Sequence, residues 1–249
     1  MAIPDILGAR LIETVKDNDL GGAFLMLGRQ SWKGRGRGAG AEVFDETLAK
    51  YLPNIDAEDL KNPDDRYSER FFETLGFSSV DSLDFSDFEK ASIVQDLGGT
   101  LPSELENRFD VIFDGGTCEH VFDLPTAYRN IDKMLRPGGV FISHAPANNW
   151  VAHGFYQISP EIVFGFWAQS MGYEVLHCVF QPIRPRAARR VVAITNPLVT
   201  GKRPKLKGAL PRGMPVIMNF AVRKSKDPVE PKSRVLQSDY VVRWEAARK

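Results

Sequence analysis

Along the first 180 residues, short unbroken apolar runs alternate with longer stretches whose apolar residues recur at helical spacing. IPDILGARLIETV (3–15) sets Ile, Leu and Val three and four residues apart and predicts an amphipathic helix. AFLMLG (23–28) is a compact apolar run closed by glycine, the pattern of a strand buried on both faces. Helices are expected at AEVFDETLAKYL (41–52) and DRYSERFFETLG (65–76), the second capped by Gly76. Strands are expected at 79–84, 92–98, 109–116 and 139–146. PTAYRNIDKMLRPGG (125–139) separates the last two and reads as a helix with proline near its first turn. SPEIVFGFWAQSMG (159–172) opens on a Ser cap, a Pro and Glu161, which together start a helix, and YEVLHCVF (173–180) is one more strand.

Strands alternating with helices predict an α/β, Rossmann-like fold: a mostly parallel seven-stranded sheet with helices on both faces. After residue 180 the pattern thins. RPRAARRVVAITNP and MPVIMNFAVRKS each carry an apolar run suited to a sixth or seventh strand, and the stretch between them (198–213), rich in Gly, Pro and basic residues, reads as an exposed connection. The expected division is a main domain over 1–225 and a loose C-terminal extension over 226–249, in which VVRWEAARK forms a short helix. In open sheets of this kind ligands bind beyond the carboxyl ends of the strands, where strand order reverses. Those ends read Leu27-Gly28-Arg29-Gln30, Asp84, Asp96, Asp114-Gly115-Gly116 and His144-Ala145-Pro146. Four of the five carry polar or acidic side chains, which a purely structural strand end does not require.

Composition narrows the picture. With 249 residues and 43% apolar content, one large core is affordable. No run reaches the roughly 18–20 apolar residues of a membrane helix, and the first residues lack a basic region followed by an apolar one, so a cytoplasmic protein is expected. Two cysteines, Cys118 and Cys178, are read as free thiols. The net charge of zero hides an asymmetry: residues 181–249 hold 17 Lys and Arg against 4 Asp and Glu, leaving the first 180 residues equally acidic. Such a basic part suits an anionic partner, nucleic acid among them; a solvated face, or one that docks on the acidic half of a second copy, is preferred because residues 184–212 lack interleaved aromatics.

One segment carries a resemblance. FDVIFDGGTCEHVFDLPTAYRNIDKMLRPGGVFI (109–142) runs from an acid-ended strand through Glu-His and a helix to Arg-Pro-Gly-Gly and another strand. With Gly28, Asp84 and Asp96 at the preceding strand ends, it resembles the class I S-adenosylmethionine-dependent methyltransferases over roughly residues 20–180. That resemblance implies S-adenosylmethionine as cofactor. It implies Asp84 for the ribose hydroxyls, with Asp81 as its competitor, and Asp96 with Leu97 for the adenine. Asp114 would take the cationic amine, Gly115 would allow close backbone approach, and Glu119 would begin the helix facing the pocket. The chain departs from the family after its first strand, where LMLGRQSW offers the single Gly28 in place of a GxGxG turn; Gln30 is expected to take over those contacts.

The loop HAPANNWVAHGFYQISPE (144–161) gathers two His, two Asn, Trp, Tyr and Gln over the expected pocket mouth. Methyl transfer needs alignment and a deprotonated acceptor, so a histidine base is sought among His120, His144 and His153. His153 is preferred, with His120 as the alternative and Tyr156 and Gln157 positioning the substrate; the rival reading makes Phe155 and Tyr156 core residues that fold the loop. Gly116 stands three before Glu119, so an E-x-x-E-H metal cluster is absent and no metal is expected, although Glu119, His120 and His153 are free to meet in space. The resulting expectation is an S-adenosylmethionine-dependent methyltransferase acting on oxygen or nitrogen of a small molecule or glycan. The alternatives are an inactive methyltransferase-like binding or activator subunit, and a nucleic-acid methyltransferase using the basic C-terminal part.

Overall fold

The structure, a computed structural model, describes residues 2–206, 208–227, 230–232 and 234–248. Eight strands form one sheet: β1 (Gly22–Leu27), β2 (Phe77–Asp84), β3 (Ile93–Val94), β4 (Phe109–Asp114), β5 (Leu135–Asn148), β6 (Glu174–Pro182), β7 (Val192–Ala193) and β8 (Val216–Arg223). Their order is β3-β2-β1-β4-β5-β8-β6-β7. The pairs from β3 through β5 are parallel, whereas β8 runs antiparallel to both β5 and β6. The sheet is therefore Rossmann-like and mostly parallel, with eight strands where seven were expected. The shortest edge strand besides β3 is β7, two residues of the RPRAARRVVAITNP run that pair with β6. Strand order reverses between β1 and β4, whose last residues, Leu27 and Asp114, lie opposite one another.

The alternation of the pleat explains the unbroken apolar runs. On β1, Phe24 and Met26 face one core and Leu25 and Leu27 the other; Phe113 and Ile112 divide in the same way on β4, and Ile142 and Phe141 on β5. Helices α1 (Asp5–Asp17), α2 (Ala39–Tyr51) and α3 (Glu69–Leu75) cover the first face, where Trp32 packs between Phe44 and Phe71. Helix α4 (Leu124–Met134) and a π-helix (Ile162–Ser170) cover the second, centred on Tyr128, Phe141 and Trp167. Trp32, 2% exposed, is thus a core residue.

Several boundaries moved for local reasons. The expected strand at 92–98 keeps only Ile93–Val94, because the Asp96 carboxylate turns back to accept the Gly98 N–H and the Gln95 amide donates to the carbonyls of Asp96 and Thr100. The helix expected to reach residue 139 stops at Met134, and Arg136-Pro137-Gly138-Gly139 instead begins β5, where the Arg136 guanidinium meets Asp110 at 2.6 Å. The segment after Ser159 is a π-helix, its Met171 N–H reaching back five residues to the Phe166 carbonyl.

The C-terminal part was expected to be loose. Of its loop, Pro228, Val229 and Ser233 lie outside the described residues, as does the last residue of the expected terminal helix. Two short helices, α5 (Pro197–Thr200) and α6 (Ser238–Ala246), pack on one another, and α6 packs on the π-helix. Ser238 and Asp239 are fully buried; Glu161 accepts from both the backbone N–H and the hydroxyl of Ser238, and Asp239 pairs with Arg203. Among the described residues no helix is long and apolar enough to cross a membrane.

Candidate functional site

At the carboxyl ends of β1, β2 and β4 the structure assembles a group around Gly28. This glycine has φ +67°, a left-handed value, and a Cβ there would meet the Thr117 hydroxyl at 2.8 Å, the Gln30 amide nitrogen at 3.2 Å and the Asp84 carboxylate at 3.8 Å. The single glycine is therefore required by a close approach even though the GxGxG turn is missing. Thr117 donates its hydroxyl to the Leu27 carbonyl at 2.7 Å, tying the end of β1 to the loop after β4. Gln30 is 1% exposed, its amide donating to the Leu27 carbonyl, and its head group lies against Gly115, where a Cβ would meet it at 2.8 Å. The Gln30 side chain fills the space between the strand ends that a glycine-rich turn would leave open.

Asp84 is half-buried, and among the described residues only the Ser86 N–H reaches its carboxylate, at 3.4 Å. Asp96 is exposed two residues beyond Val94, which pairs with Asp84; Leu97 beside it is buried. Asp81, the competing acid, is engaged with Arg108 and the Ser92 hydroxyl. Asp114 departs from its expected part. It is fully buried, with one carboxylate oxygen accepting the N–H groups of Gly116, Thr117 and Cys118 and the other accepting the Ser143 hydroxyl. Fully buried and already met by four donors inside the protein, this carboxylate is not presented to an incoming ammonium. It holds the turn after β4.

Beyond that turn, Cys118–His120 forms one 3₁₀ turn, and the loop after β5 folds back over it. The Glu119 carbonyl accepts the N–H groups of both Phe155 and Tyr156. Gly154 permits this contact, since a Cβ there would meet the Glu119 carbonyl at 2.9 Å and the His120 ring at 3.1 Å. The result brings three side chains together: Nε2 of His153 lies 3.4 Å and Nε2 of His120 3.8 Å from the Glu119 carboxylate, and the two imidazole centroids are 5.0 Å apart. Glu119 is 1% exposed, and neither carboxylate oxygen has a hydrogen-bond partner among the described residues. Burial, with Asp114 nearby, raises its pKa well above the carboxylate range; burial and the neighbouring His153 lower that of His120. Both imidazoles remain partly open to solvent.

Other expected site residues are engaged elsewhere. The Tyr156 hydroxyl donates to the Phe122 carbonyl at 2.8 Å and the Gln157 carbonyl oxygen accepts the Trp150 N–H, so both hold the loop in shape. They also line an apolar cavity of about 480 Å³ between α4 and the π-helix, with Leu124, Tyr128, Phe166 and Val235. His144 is 2% exposed against the Phe113 ring, and burial, followed by His177, pushes its pKa down to about 3, which removes it as a base. Cys118 and Cys178 are free and buried, as expected. Thr117 had no expected part and Trp150 was only one of the loop's residues: Thr117 ties two strand ends, and Trp150 lies 4.8 Å from His153 with the rings tilted while donating to the Val216 carbonyl. No pattern in the sequence singles out Thr117.

The sheet order and the switch between β1 and β4 place the loop acids at the end of a Rossmann-like sheet where ligands bind. Residues 78–176 match the methyltransferase domain family. The matched segment runs from β2 into β6 and is similar to a methyltransferase domain. Among solved structures it is similar to a putative sarcosine dimethylglycine methyltransferase from Galdieria sulphuraria, at 12% identity over 89% of this chain and 85% of that one, with a TM-score of 0.45. It is also similar to the N-methyltransferase NodS from Bradyrhizobium japonicum WM9 in complex with S-adenosyl-L-homocysteine, at 11% identity over 87% and 85%, TM-score 0.43. A putative S-adenosyl-L-methionine-dependent methyltransferase from Methanococcus maripaludis shares 17% identity over 91% and 87%, TM-score 0.41. No curated protein matches the chain in sequence.

Proposed function

We propose that this protein transfers the methyl group of S-adenosylmethionine to an oxygen or nitrogen of a small molecule or glycan. The residues present suit the donor. Asp84, with most of its hydrogen-bonding capacity free, would accept the ribose hydroxyls, and Asp96 with Leu97 would take the adenine. For the ammonium, Gln30 replaces Asp114: its side-chain oxygen is buried beside Gly115 with no partner among the described residues, and an amine would satisfy it. Bound there, the cofactor supplies an electrophilic methyl on a sulfonium, whose S–C bond electrons return to sulfur on transfer.

The observation that carries the reading is the pairing of His153 with His120 over Glu119 on the loop that follows β4. An imidazole there accepts the proton the acceptor loses, and His153 is the preferred base. Phe122 and Phe155, 74% and 64% exposed and packed edge to face, border the cluster and offer an apolar rim to an acceptor. The basic residues of the C-terminal part are partly used inside the molecule, in pairs such as Arg189 with Glu46 and Lys224 with Asp132, which supports an acceptor other than nucleic acid. The first experiment is a thermal shift with S-adenosyl-L-homocysteine. A dose-dependent rise in melting temperature, largely lost in Asp84→Asn and reduced in Gln30→Ala, is expected. No rise at millimolar ligand sinks the proposal and favours an inactive binding subunit.

A further inference from the structure

We infer that Glu119, His120 and His153 form a binding site for one divalent transition cation of the zinc or cobalt(II) kind. One donor atom from each of the three lies within 4.8 Å of the others. Ions held at about 2.0–2.1 Å by imidazole and carboxylate place their ligand atoms about 3.0–3.4 Å apart. The Glu119–His153 separation of 3.4 Å already meets that spacing, and His120 at 3.8 Å needs only a small movement. Two imidazoles and one carboxylate with positions left open is a donor set used by catalytic zinc and by other divalent transition ions.

The second observation is independent of spacing. Glu119 is 1% exposed and aimed at the two histidines, yet both its oxygens lack a hydrogen-bond partner among the described residues. A buried carboxyl group without hydrogen bonds is costly, and a cation between it and the imidazoles resolves that cost. The surroundings hold the donors in place, because the loop backbone is clamped to the Glu119 carbonyl and Trp150 backs His153. His120 keeps 44% and His153 29% of its side chain exposed, so a cation held here is reached from solvent.

The inference deepens the methyl-transfer reading and rests on it for its purpose: a cation here would bind the acceptor hydroxyl and lower its pKa, the proton leaving to solvent. In the loaded protein His153 is then a ligand, and in the metal-free protein it is the base. Cation binding is tested apart from methyl transfer. The full chain is stripped with a chelator and titrated with Co²⁺, followed by visible absorption. One Co²⁺ per chain is expected, with affinity lowered about tenfold or more in Glu119→Gln, His153→Asn and the more exposed His120→Asn. His177→Gln, outside the cluster, is expected to bind as wild type. Absence of stoichiometric binding at millimolar Co²⁺ overturns the inference, as does undiminished binding in His120→Asn and His153→Asn variants that melt like wild type in chelator. A thermal shift by S-adenosyl-L-homocysteine in chelator reports on the donor site separately, so failure of the two readings is told apart.

Discussion

Asp114 shows how one residue type at one strand end serves two ends. An acid after a buried strand fits a cofactor amine, and it equally fits a carboxylate that gathers the free N–H groups of the following turn; the chain uses it for the second. Sequence cannot separate these uses, because both demand the same acid followed by glycines. The structure therefore predicts that Asp114→Asn acts mainly on folding. Charge-assisted hydrogen bonds contribute roughly 1.5–3 kcal/mol each and are not additive, so a loss of about 3 kcal/mol is expected in urea unfolding. Affinity of the folded fraction for S-adenosyl-L-homocysteine should change little, whereas a loss of affinity with unchanged stability would return Asp114 to the donor site. Glu119 stood out in the sequence beside His120. Its meeting with His153 was not legible, because 34 residues of chain separate them and the contact depends on how the loop after β5 folds back onto the Glu119 carbonyl.

Among the elements, periodicity located β1, β2, β4, β6 and the first four α-helices within a few residues, since each buries a face or stripe that the chain pattern must supply. It erred where backbone chemistry overrode pattern: at β3, cut short by Asp96 and Gln95, and at the π-helix, whose hydrogen-bond offset leaves no mark on the apolar spacing. It also missed the anchoring of α6, which depends on a buried Glu161–Ser238 contact 77 residues apart. That contact caps the amino end of α6, where a carboxylate is favoured. Glu161→Ala is accordingly expected to free α6, lowering global stability by about 1–2 kcal/mol. Limited proteolysis should then cut first within residues 230–248, and unchanged protection of that stretch would contradict the role given to Glu161.

At the scale of the molecule, two buried histidines tie stability to pH. His144 on β5 and His177 on β6 lie near Arg10 of α1, and burial is the largest cause of their lowered pKa values, about 3 and about 4 against 6.5 for the free side chain. The unfolded chain thus binds more protons than the native one as pH falls below 6.5. Their contribution to stability is complete above that value and is lost toward pH 4. The slope is about 1.4 kcal/mol per pH unit for each histidine. Over pH 7 to pH 4.5 the raised pKa of Glu119 acts in the opposite sense, so the test is the difference between proteins: the urea midpoint of His177→Gln should fall less with pH than that of wild type, and identical pH profiles would contradict the burial of His177. A different consequence follows from the position of β8. It is the last of the described strands to be synthesised, yet it sits between β5 and β6 and pairs with both. While the ribosome is still making residues 183–215, two finished segments wait with unpaired edges, and the second face of the molecule stays unsealed until Phe220 and its neighbours emerge.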